Sequence, residues 1–308
     1  MHPLIGPAAP GTLHVMSMNL RNPGAGQPDP WDDRRGVTAA LLETERPTVL
    51  GTQEGFYHQL RDIADDLPSG YDWIGTGRDG GSRGEFMAIF FDSVRLEPLE
   101  YDHFWLSDTP DLVGSTSWGN SNVRMATWVR FADRTAEHAN GREFVLLNTH
   151  LDHAVARAQR EGAALVADRV RELARTYPVI VTGDFNVPAE NSEPYRILVD
   201  GANLADSWKI TDKALTPSVA TFHGYGDPTP NGDRIDWILT SRGITVDSAA
   251  INTFRMPAAG AESRSRPTPD FQPEDPPAAV APVVASGFTA EGGWASDHWP
   301  VQALVRLP

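Results

Sequence analysis

The apolar residues of this chain fall into short β-branched runs separated by stretches with helical spacing. A run of four residues, VIVT at 179–182, is typical of a strand buried on both faces. The stretch PVIVTGDFNVP (178–188) then places Asp184 and Asn186 on a turn at the carboxyl end of that strand, with Phe185 directed into the core. An Asx turn alone would also explain an Asp and an Asn here.

Similar patterns recur along most of the chain and predict its other elements. We expect strands at 13–20, 48–55, 71–76, 86–91, 94–101, 103–106, 125–131, 144–148 and 301–306. Asp236 interrupts a further apolar strand, RIDWIL at 234–239. Helical spacing predicts helices at 31–45, 56–67 and 154–177, with a short one near 194–199. Many strands with interspersed helices indicate an α/β domain.

Two segments lack such patterns. Residues 1–11 are rich in Pro, Gly and Ala, which predicts a flexible N-terminal arm. Residues 255–293 are rich in Pro, Ala, Gly and Ser with little periodicity, which predicts a long loop or partly disordered insertion. No linker is evident before residue 255, so we expect one domain at 12–308 that carries this insertion.

Composition limits the classes of function. The chain has 308 residues, 40% of them hydrophobic, so it is long enough to bury a sizeable core. Its net charge of −15 disfavours a sequence-independent nucleic-acid binder. It contains 0 Cys, which excludes disulfides, thiolate metal sites and a Cys nucleophile. No secretion signal or long apolar run is visible, so we expect a cytoplasmic monomer without stable membrane association.

Polar side chains recur at or near the ends of the predicted strands. Each has an ordinary structural explanation alone, but together they supply acidic oxygens, amides and imidazoles. This inventory favours an oxygen-ligated Mg²⁺ or Mn²⁺ site over zinc, and the imidazoles suit stabilising a phosphate charge and orienting a water. The set comprises Asn19, Glu54, His150, Asp184, Asn186, Asp236, Asp297 and His298.

Arginines provide a second, weaker signal. Arg78 and Arg83 lie in a glycine-rich loop at 77–85, which is either a flexible hairpin connection or a means of bringing guanidinium groups close to a phosphate. The loop does not match a P-loop. Arg124 enters a predicted strand, where it is either a solvated edge charge or another phosphate contact.

Five motifs resemble those of the endonuclease/exonuclease/phosphatase superfamily and occur in its order. The loop GTGRDGGSRGE (75–85) and FWLSDTP (104–110) further resemble a bacterial branch of metal-dependent hydrolases. This resemblance covers roughly residues 12–307 and implies a DNase-like, four-layer αββα sandwich of two mixed sheets. The motifs are QEG (53–55), NTHLDH (148–153), GDFN (183–186), RIDWIL (234–239) and SDHWPV (296–301).

The resemblance also implies a role for each matched acidic or amide residue. Glu54 would be the principal ligand of Mg²⁺ or Mn²⁺, with Asp297 near the metal and Asn19 beside it. Asp184, helped by Asn186, would orient or deprotonate the attacking water.

The same comparison assigns the basic residues. His298 would pair with Asp236 and contact the scissile phosphate, and His150 would stabilise the pentavalent transition state. Arg78, Arg83 and Arg124 are candidates for a second contact on the substrate. The long insertion between Asp236 and Asp297 departs from the compact pattern of the superfamily and leaves its own role open.

We therefore expect a Mg²⁺- or Mn²⁺-dependent hydrolase that attacks a phosphate mono- or diester in line with water. A small or sugar-like phosphate ester is the expected substrate, because the chain is acidic. The alternatives are a nuclease acting on DNA or RNA, a sphingomyelinase-like lipase, and a non-catalytic binding module on the same scaffold.

Overall fold

The computed structural model describes residues 2–23, 30–120, 122–135, 142–256 and 293–308. Within these residues, strands form two six-stranded mixed sheets that pack face to face. The helices are α1 (Trp31–Glu45), α2 (Tyr57–Asp66), α3 (Ala156–Leu173), α4 (Glu193–Arg196) and α5 (Ser207–Ile210), with a π-helical turn at Ile197–Gly201.

The first sheet contains the strands nearest both chain ends. It consists of β1 (Leu13–Asn19), β2 (Val49–Gln53), β3 (Tyr71–Ile74), β4 (Ile89–Asp92), β11 (Thr245–Ile251) and β12 (Val301–Arg306). Their order is β11-β12-β1-β2-β4-β3. β1 and β2 are parallel, and the other neighbours are antiparallel.

The second sheet contains the middle of the chain. It consists of β5 (Leu96–Trp105), β6 (Met125–Asp133), β7 (Arg142–His150), β8 (Val179–Asp184), β9 (Leu204–Asp206) and β10 (Asp236–Ser241), in the order β5-β6-β7-β8-β10-β9. β7 and β8 are parallel, and the other neighbours are antiparallel. Each sheet therefore has one central parallel pair whose carboxyl ends lie side by side.

Three apolar layers hold the sandwich together. Side chains of both sheets, such as Val15 and Ile180, form the central layer. α1 and α2 cover the outer face of the first sheet, and α3 covers the outer face of the second. This arrangement confirms the predicted DNase-like αββα sandwich, and buried apolar area on all three layers drives its assembly.

Several element predictions need correction. The stretches 94–101 and 103–106 form one strand, β5, with an irregularity between Pro98 and Glu100. Asp236 begins β10 instead of interrupting it. β9, α5 and β11 were not predicted, because β9 and α5 are too short to show a period and polar residues interrupt β11.

The structure attaches part of the N-terminal segment to the domain. Backbone amides of Leu4, Ile5 and Gly6 donate to the carboxylate of Glu45 at 2.8, 3.2 and 3.1 Å. The flexibility of the arm, and the division at residue 12, stay predictions. Most of the predicted insertion, residues 257–292, lies outside the described residues. Among the described residues, none of the helices combines the length and apolar character needed to cross a bilayer.

Candidate active site

The predicted site residues converge at one edge of the sandwich. Asn19, His150 and Asp184 are the last residues of β1, β7 and β8, and Glu54 directly follows β2. Antiparallel pairing brings the first residue of β10, Asp236, opposite Asp184. Asp297 and His298 precede β12, which pairs with β1. The two parallel strand pairs therefore place the carboxylates, amides and imidazoles of both sheets together.

Asn19 joins the acidic groups of the two sheets. Its Nδ2 donates to Glu54 Oε1 at 3.0 Å and to Asp184 Oδ2 at 2.9 Å. Burial alone would raise the pKa of Glu54, but hydrogen bonds from Asn19 and from Asn22, with the charges of His298 and Arg21, lower it below its ordinary value. Glu54 is therefore held as a carboxylate, which is the form that binds a cation.

A cation already lies between two of the predicted metal ligands. Arg21 Nη1 is 4.0 Å from Glu54 Oε2, and its Nε is 3.4 Å from Asp297 Oδ2. Burial raises the pKa of Asp297. The oxygen donors of Glu54, Asp297 and Asn19 fit a hard divalent ion such as Mg²⁺ or Mn²⁺ better than a soft one.

Two trios of side chains bring ligand atoms within 4.8 Å of one another: Glu54, His150 and Asp184, and Asp184, Asp236 and His298. His298 Nδ1 lies 3.0 Å from Asp236 Oδ2, which is the predicted pairing. Burial would lower the pKa of His298, but the carboxylates of Asp236 and Asp184 raise it to about 10. This imidazole is therefore a cation at neutral pH.

The pKa of Asp184 is also raised, but for a carboxyl group the rise favours the neutral form. Burial, and then the charge of Asp236, raise the pKa of this carboxyl group to about 7, although His298 and Asn19 oppose the rise. A carboxyl group with a pKa near neutrality can both accept and release a proton at physiological pH.

His150 is held by basic rather than acidic neighbours. Arg124 Nη1 lies 2.8 Å from His150 Nδ1, and Arg124 Nη2 lies 3.0 Å from His153 Nδ1. Burial, and then the charge of Arg124, keep the pKa of His150 well below its ordinary value. The two imidazoles predicted from the sequence therefore differ in charge: His298 is protonated and His150 is neutral.

The turn after β8 is fixed by its own hydrogen bonds. The backbone N–H of Asn186 donates to Asp184 Oδ1 at 2.9 Å, so the Asx turn considered for this sequence is present. Phe185 is buried and stacks on Trp237 at 4.1 Å between ring centroids, as predicted. Glu54 and Asn186 have φ angles of +60° and +54°, a strained backbone that is common where functional side chains must be aimed.

These residues open into a cleft of about 530 Å³, which is large enough for a small molecule. Arg78 and Arg124 line it, whereas Arg83 does not: its guanidinium bonds the carbonyl oxygens of Gly80 and Asp79 in its own loop. The structure therefore brings two of the three predicted arginines to the site.

Seven residues of the cleft lining were not singled out from the sequence. Three had a visible signal. Arg21 lies two residues after the strand-end Asn19, Glu85 closes the glycine-rich loop that carries Arg78, and His153 ends the motif NTHLDH. The others became evident only when the fold placed them in the cleft. The seven are Arg21, Asn22, Glu85, Asn122, His153, Phe222 and Ile235.

Comparison with known proteins identifies the family of this chain. The sequence profile of the endonuclease/exonuclease/phosphatase family matches residues 16–298, almost the whole sandwich. The chain belongs to the endonuclease/exonuclease/phosphatase family. Members of this family hydrolyse phosphoester bonds and generally use divalent metal ions.

Solved structures of the family superpose over nearly the full chain. A mannosyl-6-phosphatase from Bacteroides thetaiotaomicron is 32% identical, with 95% of this chain and 99% of that one covered and a TM-score of 0.77. Another family protein from the same organism is 31% identical, with 98% and 100% covered and a TM-score of 0.78.

One curated relative matches a smaller region. An uncharacterized protein of Acanthamoeba polyphaga mimivirus is 27% identical over 165 residues, which are 51% of this chain and 59% of that protein. The match thus spans less than two thirds of this relative.

Proposed function

We propose that this protein hydrolyses the phosphate monoester of a small, sugar-like molecule with the help of a divalent metal ion. The observation that carries the proposal is the convergence of a carboxyl group with a pKa near 7, a cationic imidazole and a set of oxygen donors at one small cleft. The similarity to a mannosyl-6-phosphatase supports a sugar phosphate as the substrate.

The polar groups at the strand ends have separate parts in this chemistry. Asp184, with its pKa near 7, accepts the proton of the attacking water, which Asn186 helps to orient. The cationic His298 and the neutral His150 donate hydrogen bonds to the phosphoryl oxygens as the water attacks phosphorus in line with the leaving alcohol. The bond from phosphorus to the ester oxygen breaks, the leaving oxygen takes up a proton from solvent water, and Asp184 returns its proton to solvent, so the products are phosphate and the free alcohol.

Glu54, Asp297 and Asn19 are the residues that would hold Mg²⁺ or Mn²⁺. When bound, the ion would neutralise part of the phosphate charge, a contribution worth several kcal/mol in such sites. The low pKa of Glu54 and its pairing with Arg21 support a cation at this position.

The test compares hydrolysis of mannose 6-phosphate, p-nitrophenyl phosphate and bis-p-nitrophenyl phosphate with Mg²⁺, with Mn²⁺ and with a chelator. We expect metal-dependent release of phosphate from the monoesters and its loss in Glu54→Gln. The control is Glu172→Gln, which removes an exposed carboxylate from α3. Preference for the diester, or for an oligonucleotide, would instead support the nuclease alternative. If the protein hydrolyses none of the three esters and calorimetry detects no binding of Mn²⁺, the proposed enzymatic function is refuted.

A further inference from the structure

An ion pair in the wall of the cleft remains unused by the chemistry above. Arg78 Nη1 lies 2.6 Å from Glu85 Oε2, and both side chains line the cleft beside Arg124. Their side chains are only 17% and 9% exposed, so water screens the pair poorly. This pair lies in the same cleft as the catalytic groups but on the loop at residues 77–85, away from the strand ends.

The loop is built to hold this pair in place. The backbone N–H of Arg78 donates to the carbonyl oxygen of Glu85 at 2.9 Å, and Trp105 Nε1 donates to the carbonyl oxygen of Arg78 at 2.7 Å. Gly84 has a φ of +75°, and a Cβ there would overlap the carboxylate of Asp79. The glycines therefore serve to close the loop tightly, so that Arg78 and Glu85 face each other across it.

The ion pair offers no net positive charge to a second phosphate, because Glu85 compensates Arg78 directly. Arg124 keeps its charge, but both of its terminal nitrogens already lie within hydrogen-bond distance of imidazoles. Burial raises the pKa of Glu85 to about 6, partly offset by Arg78, so the group is mostly a carboxylate at neutral pH. A carboxylate at this depth repels a second anion.

A sugar hydroxyl suits this wall better than a phosphate does. A hydroxyl both donates and accepts, so neighbouring hydroxyls can donate to the carboxylate of Glu85 and accept from the guanidinium of Arg78. The amide of Asn122, also in the cleft lining, offers a further donor and acceptor.

We infer that Arg78 and Glu85 form a hydroxyl-binding subsite which selects uncharged polyols carrying a single phosphate and rejects substrates with a second phosphate. This inference rests on the proposed phosphatase function and assigns its substrate class. It also narrows the prediction from the sequence, in which Arg78 contacts a second phosphate or polar group of the substrate, to half of a hydroxyl-binding pair.

The test measures kcat/KM for mannose 6-phosphate and for mannose 1,6-bisphosphate, which differ only in the second phosphate. We expect the native protein to prefer the monophosphate. Glu85→Gln keeps the shape of the side chain but removes its charge, so it should shift the ratio of the two values towards the bisphosphate by about tenfold or more.

Two further variants separate charge from shape. Glu85→Asp keeps the charge and shortens the side chain, so it should still reject the bisphosphate while raising KM for mannose 6-phosphate. Asp79→Asn is the control for charge. It removes a carboxylate from the same loop, but Asp79 is exposed and lies outside the cleft lining, so the ratio should stay as in the native protein.

The outcomes distinguish this inference from the proposed function. If the native protein hydrolyses mannose 6-phosphate but Glu85→Gln leaves the ratio unchanged, the subsite is refuted and the phosphatase stands. If Asp79→Asn shifts the ratio as much as Glu85→Gln, the preference is a general effect of net charge and the subsite is refuted. If the native protein hydrolyses no phosphate ester, the proposed function itself fails.

Discussion

The guanidinium group of Arg124 donates to Nδ1 of His150 at 2.8 Å. An arginine can only donate, and a neutral imidazole carries one proton, so this contact puts the proton of His150 on Nε2. Nε2 lies 3.4 Å from Asp184 Oδ2 and 2.8 Å from Asn186 Nδ2. The Asn186 amide must then turn its oxygen towards Nε2, which sacrifices its hydrogen bond to the Leu151 carbonyl oxygen.

Arg124→Lys should therefore lower kcat more than it raises KM. Lysine keeps the charge but lacks the planar fork that reaches both His150 and His153, so the ring loses its orientation. We expect kcat to fall about 10- to 100-fold. The ¹⁵N NMR spectrum of the native protein should show His150 as the Nε2–H tautomer, and the variant should lose this preference.

Arg83→Lys is the matched control, because Arg83 bonds only carbonyl oxygens of its own loop among the interactions described. A raised KM with an unchanged kcat in Arg124→Lys would support the substrate contact predicted from the sequence. An Nδ1–H tautomer in the native protein would contradict the positioning role.

Gly51 marks a point where the two sheets approach each other closely beneath the site. A Cβ at this residue of β2 would overlap Thr182 Oγ1 and lie 2.7 Å from Asn148 Oδ1. Both belong to the second sheet, and Thr182 donates to Asn148 at 3.1 Å. Gly51→Ala should therefore lower the free energy of unfolding by about 1–3 kcal/mol, which urea denaturation would measure.

The double variant Gly51→Ala with Thr182→Ala should be more stable than the sum of the two single changes predicts, because the overlapping hydroxyl is gone. Gly162→Ala is the control: its Cβ would meet only side-chain atoms of Leu106 and Leu151, at 3.4 Å or more, and alanine favours the helix α3. Equal destabilisation by Gly51→Ala and Gly162→Ala would contradict the close approach of the sheets.

His14 gives the fold a defined dependence on pH. It is fully buried, and burial lowers its pKa from 6.5 to about 4 despite the nearby charge of Glu45. Because the folded-state pKa lies below the unfolded one, the unfolded chain binds the proton more tightly between these values. Stability should therefore fall as the pH drops from 6.5 to about 4, by about 3 kcal/mol from this residue.

His14→Asn should remove this part of the pH dependence, since an amide can donate to the Gly6 carbonyl oxygen that His14 Nδ1 now contacts at 2.8 Å, but does not titrate. Urea unfolding of both proteins across this pH range would measure the difference in slope. His58→Asn, at an exposed position in α2, should keep the native slope. Identical slopes in His14→Asn and the native protein would contradict the assignment.

Local patterns predicted the framework of the site because its members lie at strand ends. β8, the inward Phe185 and the helix α1 follow directly from alternation and helical spacing. β11 escaped prediction because Asp247 and Ser248 interrupt its apolar residues, and its register shifts between Val246 and Ser248. Only pairing with β12 makes this segment a strand.

The electrostatics of the site could not be predicted in the same way. The chain order places Arg124 and His150 far apart, and only the pairing of β6 with β7 brings them together. The same holds for Asp184, whose pKa is raised by burial and then by the charge of Asp236, a residue that lies opposite it only because β8 pairs with β10. The types of residue were visible in the sequence, but their protonation states depend on long-range contacts.

The position of β12 also determines when this protein can become active. β12 is the last described strand in chain order, yet it lies between β11 and β1 inside the first sheet. During translation, Asp297 and His298 emerge from the ribosome after every other member of the site. Until β12 is synthesised, β1 lacks its partner on this side of the sheet. Activity therefore appears only after β12 has been synthesised and paired with β1.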